Sequence, residues 1–214
     1  MKNFQVCAAV FLFSAAAYAQ QAATVTFSLD FPGSNPSHYH ITVANDGRAT
    51  YSSNGQLNEN AEPADLAELP FTISNSVRDQ IFQIAKRTHY FSGKIDSGLK
   101  NIANTGNKTL AYKDTEHNTQ TAFNYSTNPA IQEITAIFQG LSLTLEFGRR
   151  LTFFRKYQKT ALDEDLKKME QMQRDKNLGD LNAIADVLTA IANDTSIMNI
   201  SRARALRLLA MAGK

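Results

Sequence analysis

Two histidines separated by a single residue, His38 and His40, form the sharpest chemical pattern in this sequence. On a β-strand, residues two apart point to the same face, so both imidazoles could bind one metal ion. A metal-dependent envelope hydrolase could use such a pair, but only with at least one further ligand. The candidates for that ligand are Asp30, His89, Glu116 and His117. Because two imidazoles alone are more typical of a solvated strand face, we expect no tight metal site and no cofactor.

No other combination of residues predicts a catalytic site. Asp30 with Asp114 or Glu116 could cleave a glycosidic bond as a pair of carboxylates, but nothing in the sequence places them together. The sequence has no Gly-x-Ser-x-Gly elbow, no phosphate-binding loop and no dinucleotide fingerprint. The one cysteine, Cys7, lies in an N-terminal segment that we expect to be removed, so the mature chain has no thiol nucleophile.

That N-terminal segment has the layout of a secretory signal peptide. A short, weakly basic start is followed by an uncharged apolar run from Phe4 to Ala17, and the run ends in Ala-Tyr-Ala. This arrangement predicts cleavage before Gln20, with residues 1–19 as the signal. We therefore expect the mature protein in the periplasm or outside the cell.

A basic stretch rich in aromatic residues lies between Phe147 and Asp163, and no acidic residue interrupts it. Contact with an acidic protein, anionic lipid headgroups or a polysaccharide is one interpretation. An ordinary amphipathic helix, with buried aromatics and solvated cations, is the other. In the first interpretation the interaction surface consists of Arg149, Arg150, Phe153, Lys156 and Tyr157. These five residues are called the basic-aromatic surface below.

Composition limits the class of partner. The formal net charge is only +2, with eight Lys/Arg and ten Asp/Glu in residues 20–130 and thirteen and ten in residues 131–214. This balance is far less basic than that of nucleic-acid-binding domains, so we expect no nucleic acid. The remaining candidates are an envelope or secreted protein, a second copy bound through the C-terminal helices, or a peripheral membrane or polysaccharide contact. The predicted function is that of an exported, non-catalytic binding or interaction protein.

The region before residue 130 alternates between apolar and polar residues as antiparallel strands do. Thr24–Phe31 places its apolar side chains on one face, and Tyr39, Ile41 and Val43 repeat the pattern. Asn45–Gly47 then favours a tight hairpin turn. Further predicted elements are a returning strand at 48–51, a surface loop at 53–70, a helix near 77–88, and a second hairpin at 108–113 and 119–126.

Beyond Pro129, apolar residues recur every three or four positions, which predicts helices. One segment is ambiguous, because residues 141–147 also alternate with period two and are flanked by Gly140 and Gly148. We predict a helix there, since the spacing of three and four begins before this segment and resumes after it. Each glycine would weaken that helix by about 1 kcal/mol relative to alanine.

Together these elements predict an α+β fold, in which an antiparallel β-sheet of two hairpins packs on a helix and a C-terminal α-helical extension follows. The predicted division is a signal peptide at 1–19, an α+β domain at 20–130 and a helical extension at 131–214. After the signal, no apolar stretch reaches the roughly 18 residues that a membrane span needs.

Residues 24–140 resemble a family of secreted bacterial domains of unknown function. The resemblance rests on the motif Pro-x-x-Tyr-x-Ile-x-Val-x-x-Asp-Gly at Pro36–Gly47, on Tyr51, and on a helix that ends at Tyr90-Phe91. Members often carry a Cys-x-x-Cys-Pro-like element before the motif tyrosine. Here Asn35 precedes the proline and there is no cysteine, so the redox or metal role of that pair is not implied. The resemblance implies a fold and no activity.

Overall fold

Six antiparallel strands form one sheet in the order β4-β3-β2-β1-β5-β6. The computed structural model of the protein describes residues 22–57 and 68–212. The strands are β1 (Thr24–Asp30), β2 (His38–Ala44), β3 (Arg48–Ser53), β4 (Leu69–Thr72), β5 (Asn107–Lys113) and β6 (Asn118–Phe123). Alternate side chains of β1 and β2 are buried, as predicted, because one face of the sheet is covered by helices. The predicted α+β class is confirmed.

β1 lies inside the sheet and joins two hairpins, since it pairs with β2 on one side and with β5 on the other. The hairpins β2–β3 and β5–β6 are those that the sequence predicted. The predicted surface loop at 53–70 is corrected at its end, because β4 begins there at Leu69. Three of its four side chains are exposed, so no alternation of buried and exposed positions marks it in the sequence.

Within the described residues, five α-helices accompany the sheet. They are α1 (Asn75–Arg87), α2 (Pro129–Tyr157), α3 (Lys159–Arg174), α4 (Ala185–Asn193) and α5 (Asn199–Ala212). The side chain of Asn128 accepts a hydrogen bond from the backbone of Ala130, and Pro129 fits the first helical turn, so this end of α2 is capped. α2 then runs for 29 residues, including 141–147, which confirms the helical prediction for that segment.

The ambiguous pattern in 141–147 has a structural cause: α2 lies between the sheet and the C-terminal helices. On the sheet side, Phe138 stacks on Phe27 of β1 with 5.2 Å between ring centroids. On the other side, Thr144 accepts a hydrogen bond from the backbone of Gly179, in the loop after α3. A helix covered on both sides has no single apolar face, and its sequence therefore shows no clean helical period.

The two glycines of α2 lie where other elements approach most closely. A Cβ atom on Gly148 would lie 2.5 Å from Cγ2 of Ile184, and one on Gly140 would lie 3.1 Å from the backbone nitrogen of Gly179. Glycine lowers helix propensity, but here it leaves the space that the C-terminal elements occupy.

One continuous hydrophobic core extends from β1 to α5. α2 contacts the regions on both sides of the predicted domain boundary near residue 130. It covers the sheet and also packs on α3 and α4. Within 22–57 and 68–212, no helix is long and apolar enough to cross a membrane. The predicted signal peptide, residues 1–19, lies outside the described residues.

Candidate functional site

The two histidines of the predicted metal pair lie on β2, on the solvent face of the sheet. Each ring already has a polar neighbour. Nδ1 of His38 hydrogen-bonds Oδ1 of Asp30, and Nε2 of His40 lies 3.0 Å from Oγ1 of Thr42. Partial burial, and then the nearby charge of His38, lowers the pKa of His40. Each contact uses only one of the two ring nitrogens, so the number of further ligands nearby decides whether a metal ion could bind.

Of the four candidates for a third ligand, only Asp30 lies at this end of the sheet. The seven residues of β1 separate Asp30 from the β5–β6 turn by about 20 Å. That turn carries Glu116 and His117, and His89 lies beside it, because the ring of Tyr90 stacks on His117. Among the described residues, no three His, Cys, Asp or Glu side chains are grouped so that they could hold a metal ion.

Asp114 belongs to a cluster at the β5–β6 turn. It lies at the opposite end of β1 from Asp30, as Glu116 does, so neither residue can form a carboxylate pair with Asp30. Its oxygens accept hydrogen bonds from the Tyr112 phenol at 2.9 Å and from the backbone N–H groups of Glu116 and His117. Burial opposes ionisation, but these donors hold the pKa of Asp114 at about 2. With its oxygens occupied in this way, Asp114 closes the turn.

An aromatic cluster around His117 is a feature that the sequence did not predict. The Tyr90 ring lies 4.0 Å from the imidazole and 4.6 Å from the Tyr112 ring, centroid to centroid. An imidazole beside a carboxylate supplies two of the three members of a catalytic triad, yet no Ser, Thr or Cys side chain of the described residues hydrogen-bonds this ring. The cluster depends on a turn at His89–Phe91, whose three residues all have positive φ, and no sequence period predicts such a turn.

Two residues of the basic-aromatic surface are held within the chain. Nη1 of Arg149 lies 2.8 Å from Oε1 of Glu146, and Nη2 donates to the carbonyl of Gly55 at 3.1 Å. Nε of Arg150 donates to Oδ2 of Asp165 at 2.8 Å. Both guanidinium groups therefore connect parts of the fold.

The other three residues, Phe153, Lys156 and Tyr157, lie towards solvent at the C-terminal end of α2. The half-buried Phe153 ring contacts the Tyr157 ring at 5.0 Å between centroids, and Tyr157 is 60% exposed. Nζ of Lys156 lies 5.0 Å from the centroid of the Tyr157 ring, and contact with the phenol raises the pKa of Lys156. The outward part of the basic-aromatic surface is thus an exposed aromatic group beside a cation.

A buried polar cluster, also missed by sequence reasoning, lies between α2 and β3. Glu146 is only 4% exposed and accepts hydrogen bonds from the Tyr51 phenol at 2.7 Å, from the Ser53 hydroxyl and from Arg149. Burial, and then the charge of Glu146, raises the pKa of Tyr51, so the phenol stays protonated and donates. The sequence feature that could have indicated this cluster is Glu146 itself, a single acidic residue in the otherwise uncharged segment 141–147. Because its hydrogen bonds are satisfied, we assign this cluster to stability.

The loop between α4 and α5 holds the outward end of α2. Nε of Arg155 donates to Oδ2 of Asp194 at 2.9 Å, and Nζ of Lys159 donates to the carbonyl of Ser196 at 2.9 Å. The Ser196 hydroxyl in turn donates to Asp194 at 2.7 Å. These contacts connect the residues on either side of Tyr157 to this loop.

We expect Asp194 to titrate at about pH 2, because the Ser196 hydroxyl, and then Arg155, lowers its pKa to about 2. A carboxyl whose pKa falls on folding stabilises the folded state above its ordinary pKa of 3.8, and this contribution is lost as the pH drops towards about 2. NMR titration of the carboxyl carbon measures the midpoint. Ser196→Ala should raise it more than Arg155→Gln does, whereas a midpoint near 3.8 in the unmodified protein would contradict the assignment.

Comparison with known proteins assigns no family to this chain. No family model matches it, and a search of curated proteins found no match. The resemblance to secreted bacterial domains therefore stays a prediction, and the residues themselves must carry any functional inference.

Proposed function

We propose that this chain is an exported, non-catalytic binding protein of the bacterial cell envelope, whose partner docks on the outward part of the basic-aromatic surface. The proposal depends chiefly on Tyr157, a large aromatic side chain that is 60% exposed at the end of the longest helix. Aromatic residues are enriched at protein interfaces and often dominate their binding energy. Export is inferred from the pattern of residues 1–19.

Apolar side chains continue this surface beyond α2. The hydrogen bond from Lys159 to Ser196 brings the end of α2 beside the loop that precedes α5. Met198 in that loop and Ile200 in the first turn of α5 are each about half exposed. An apolar group of this kind, bordered by polar residues, is typical of an interaction site.

The charges around Tyr157 favour an acidic protein as the partner. No acidic residue occurs between Phe147 and Asp163, and Lys156 and Lys159 flank the exposed ring in the sequence. Such an arrangement attracts a negatively charged surface and repels a basic one. An anionic lipid, a polysaccharide and a second copy of the chain are the competing partners that an experiment must separate.

A photo-crosslinking amino acid placed at position 157 in the native host tests the proposal. We expect an adduct with one acidic envelope protein, and no such adduct from the same probe at Tyr125, a control tyrosine that is 40% exposed in the segment before α2. With that partner purified, Tyr157→Ser should weaken binding about thirtyfold, the effect of losing roughly 2 kcal/mol at an interface hot spot.

Each competing partner gives a different result in this experiment. An adduct of the chain with itself would favour a homo-oligomer formed through the C-terminal helices. Binding to vesicles of anionic lipid or to a polysaccharide, with no protein adduct at 157, would replace the proposed partner class. Equal adducts from the probes at 157 and 125 would contradict the surface itself.

A further inference from the structure

The loop that leads from the turn at His89–Phe91 to β5 exposes two aliphatic side chains. Leu99 is 54% exposed and Ile102 is 37% exposed. Tyr125, in the segment between β6 and α2, is 40% exposed. Single exposed apolar side chains are ordinary on a protein surface, whereas several together mark an interaction site.

Hydrogen bonds hold this loop beside Tyr125. The backbone N–H of Ser97 donates to the carbonyl of Tyr125 at 2.8 Å, and the side-chain amide of Asn124 donates to the carbonyl of Ala103 at 3.1 Å. Both exposed aliphatic residues lie in the chain between these two points. The three apolar side chains therefore belong to one part of the surface.

Two lysines border the aliphatic residues, and both are exposed. A Cβ atom on Gly98 would lie 3.2 Å from Nζ of Lys94, so this ammonium group lies over the residue that precedes Leu99. Lys100 follows Leu99 directly in the chain. The loop patch, as it is called below, consists of Lys94, Leu99, Lys100, Ile102 and Tyr125.

The charges in this part of the chain are mostly positive. Residues 92–112 contain three lysines and one acidic residue, Asp96. Oδ1 of Asp96 accepts a hydrogen bond from the backbone N–H of Gly98 at 2.7 Å, and Oδ2 accepts one from that of Asn124 at 2.9 Å. The single carboxylate is therefore bound to the backbone of the loop and of the segment after β6.

The elements packed against the loop leave this excess of positive charge in place. Residues 118–132 are uncharged, and Glu133 on α2 forms an ion pair with Arg87. The third lysine, Lys108, is only 4% exposed, and every acceptor of its ammonium group is an uncharged oxygen of the residues around it. Its charge is not neutralised there, so it adds to the positive potential of the loop.

We propose that the loop patch holds this protein on an anionic lipid surface. Leu99 and Ile102 enter the boundary between headgroups and acyl chains, where burial of apolar side chains is favourable. Lys94 and Lys100 lie at the level of the lipid phosphates, because lysines near a membrane are attracted to anionic headgroups. The Tyr125 ring, with an apolar body and a polar hydroxyl, suits the same interface.

The types of residue in the loop patch favour lipid over an acidic protein. Protein interfaces are enriched in aromatic residues and arginine and depleted in lysine. The loop patch has no arginine, and it combines two lysines with two aliphatic residues and one tyrosine. A lysine can bury its apolar stem in the interface while its ammonium group stays among the headgroups.

This inference goes beyond the proposed function and does not depend on it. The loop patch shares no residue with the basic-aromatic surface. A protein could therefore bind at Tyr157 while the loop patch contacts lipid, and each contact can be removed without the other.

A tryptophan placed in the loop patch tests the insertion directly, because the chain has none of its own. Leu99→Trp is titrated with vesicles of equal parts phosphatidylglycerol and phosphatidylcholine. We expect its fluorescence to shift to shorter wavelength and to be quenched by bromine atoms on the acyl chains. The matched control is Leu206→Trp on α5, since Leu206 is 56% exposed and lies outside the loop patch, and its emission should not change.

Removing the two lysines tests the contribution of charge. Lys94→Gln combined with Lys100→Gln should weaken binding to the same vesicles about thirtyfold in a sedimentation assay. Binding of the unmodified protein should also fall as salt is raised. The control is Lys167→Gln with Lys168→Gln, which removes the same charge from exposed positions on α3 and should change binding less than about threefold.

Several outcomes would overturn the proposal. Unmodified protein that does not sediment with the anionic vesicles, or that sediments equally with phosphatidylcholine alone, would do so. Equal losses in the two lysine pairs would show that only overall charge matters. A fluorescence shift caused by polyglutamate but not by vesicles would assign the loop patch to an acidic protein. Vesicle binding lost in Tyr157→Ser but kept in the Lys94 and Lys100 variant would move the lipid contact to the basic-aromatic surface. Thermal unfolding of each variant shows whether it is folded.

Discussion

Replacing Glu146 with alanine should lower the free energy of unfolding by about 3–5 kcal/mol, because it leaves the largely buried charge of Arg149 and the buried Ser53 hydroxyl without their carboxylate acceptor. The Tyr51 phenol would keep its contact with the Ser142 hydroxyl at 3.1 Å. In the folded protein Glu146 accepts from the Tyr51 phenol, from the Ser53 hydroxyl and from Arg149. After the substitution Arg149 would still lie under its neighbours, with a side chain that is 18% exposed. Urea unfolding monitored by circular dichroism measures the difference.

Two further variants separate the charge from the packing. Glu146→Gln keeps the shape and one acceptor oxygen, so it should cost less than Glu146→Ala. Tyr51→Phe removes one donor and leaves the carboxylate with its other partners, so it should cost about 1–2 kcal/mol. If Glu146→Ala costs less than about 1 kcal/mol, the cluster is exposed to water in solution and the assigned burial is wrong.

The parts of this fold that follow a simple period could be predicted from the sequence. β1 and β2 alternate cleanly because one face of each strand packs on helices and the other meets water. The β2–β3 turn at Asn45–Gly47 was predictable for a local reason, since Gly47 adopts the positive φ that glycine favours.

Other parts depend on contacts between distant segments and have no local signature. β4 exists because it extends the sheet at β3, although three of its four side chains are exposed. The turn at His89–Phe91 has positive φ at all three residues, and two threonine hydroxyls of β6 donate to its carbonyls. Neither requirement is visible in the residues of the segment itself.

The candidate site shows the same limit. Arg149 and Lys156 are seven residues apart, so helical geometry places them on nearly the same side of α2. Arg149 lies beside Ser53 and Gly55 at the end of β3 and turns inward to Glu146. Lys156 lies two turns further along and contacts the exposed ring of Tyr157. Arg149 is held inside the fold and Lys156 faces solvent because the sheet ends beneath the helix between them. The sequence of α2 alone does not show where the sheet ends.

Gly179→Ala should cost about 3 kcal/mol of folding free energy, at the upper end of the usual range for overpacking. A Cβ atom at this position would lie 2.5 Å from the backbone carbon of Gly140 and 2.5 Å from the backbone nitrogen of Leu141. Backbone atoms inside α2 cannot rotate away, so the loop after α3 would have to move. That movement would also break the hydrogen bond from Gly179 to Thr144.

Gly148→Ala provides the matched comparison for urea unfolding. Its Cβ would meet Cγ2 of Ile184 at 2.5 Å, a side-chain methyl group and not helix backbone, and alanine adds about 1 kcal/mol of helix propensity. We therefore expect a smaller loss than for Gly179→Ala. Helix propensity by itself predicts the opposite sign, a more stable protein. Stabilisation by Gly148→Ala, or a loss at Gly179 no larger than at Gly148, would show that the C-terminal elements pack less closely on α2 than the distances require.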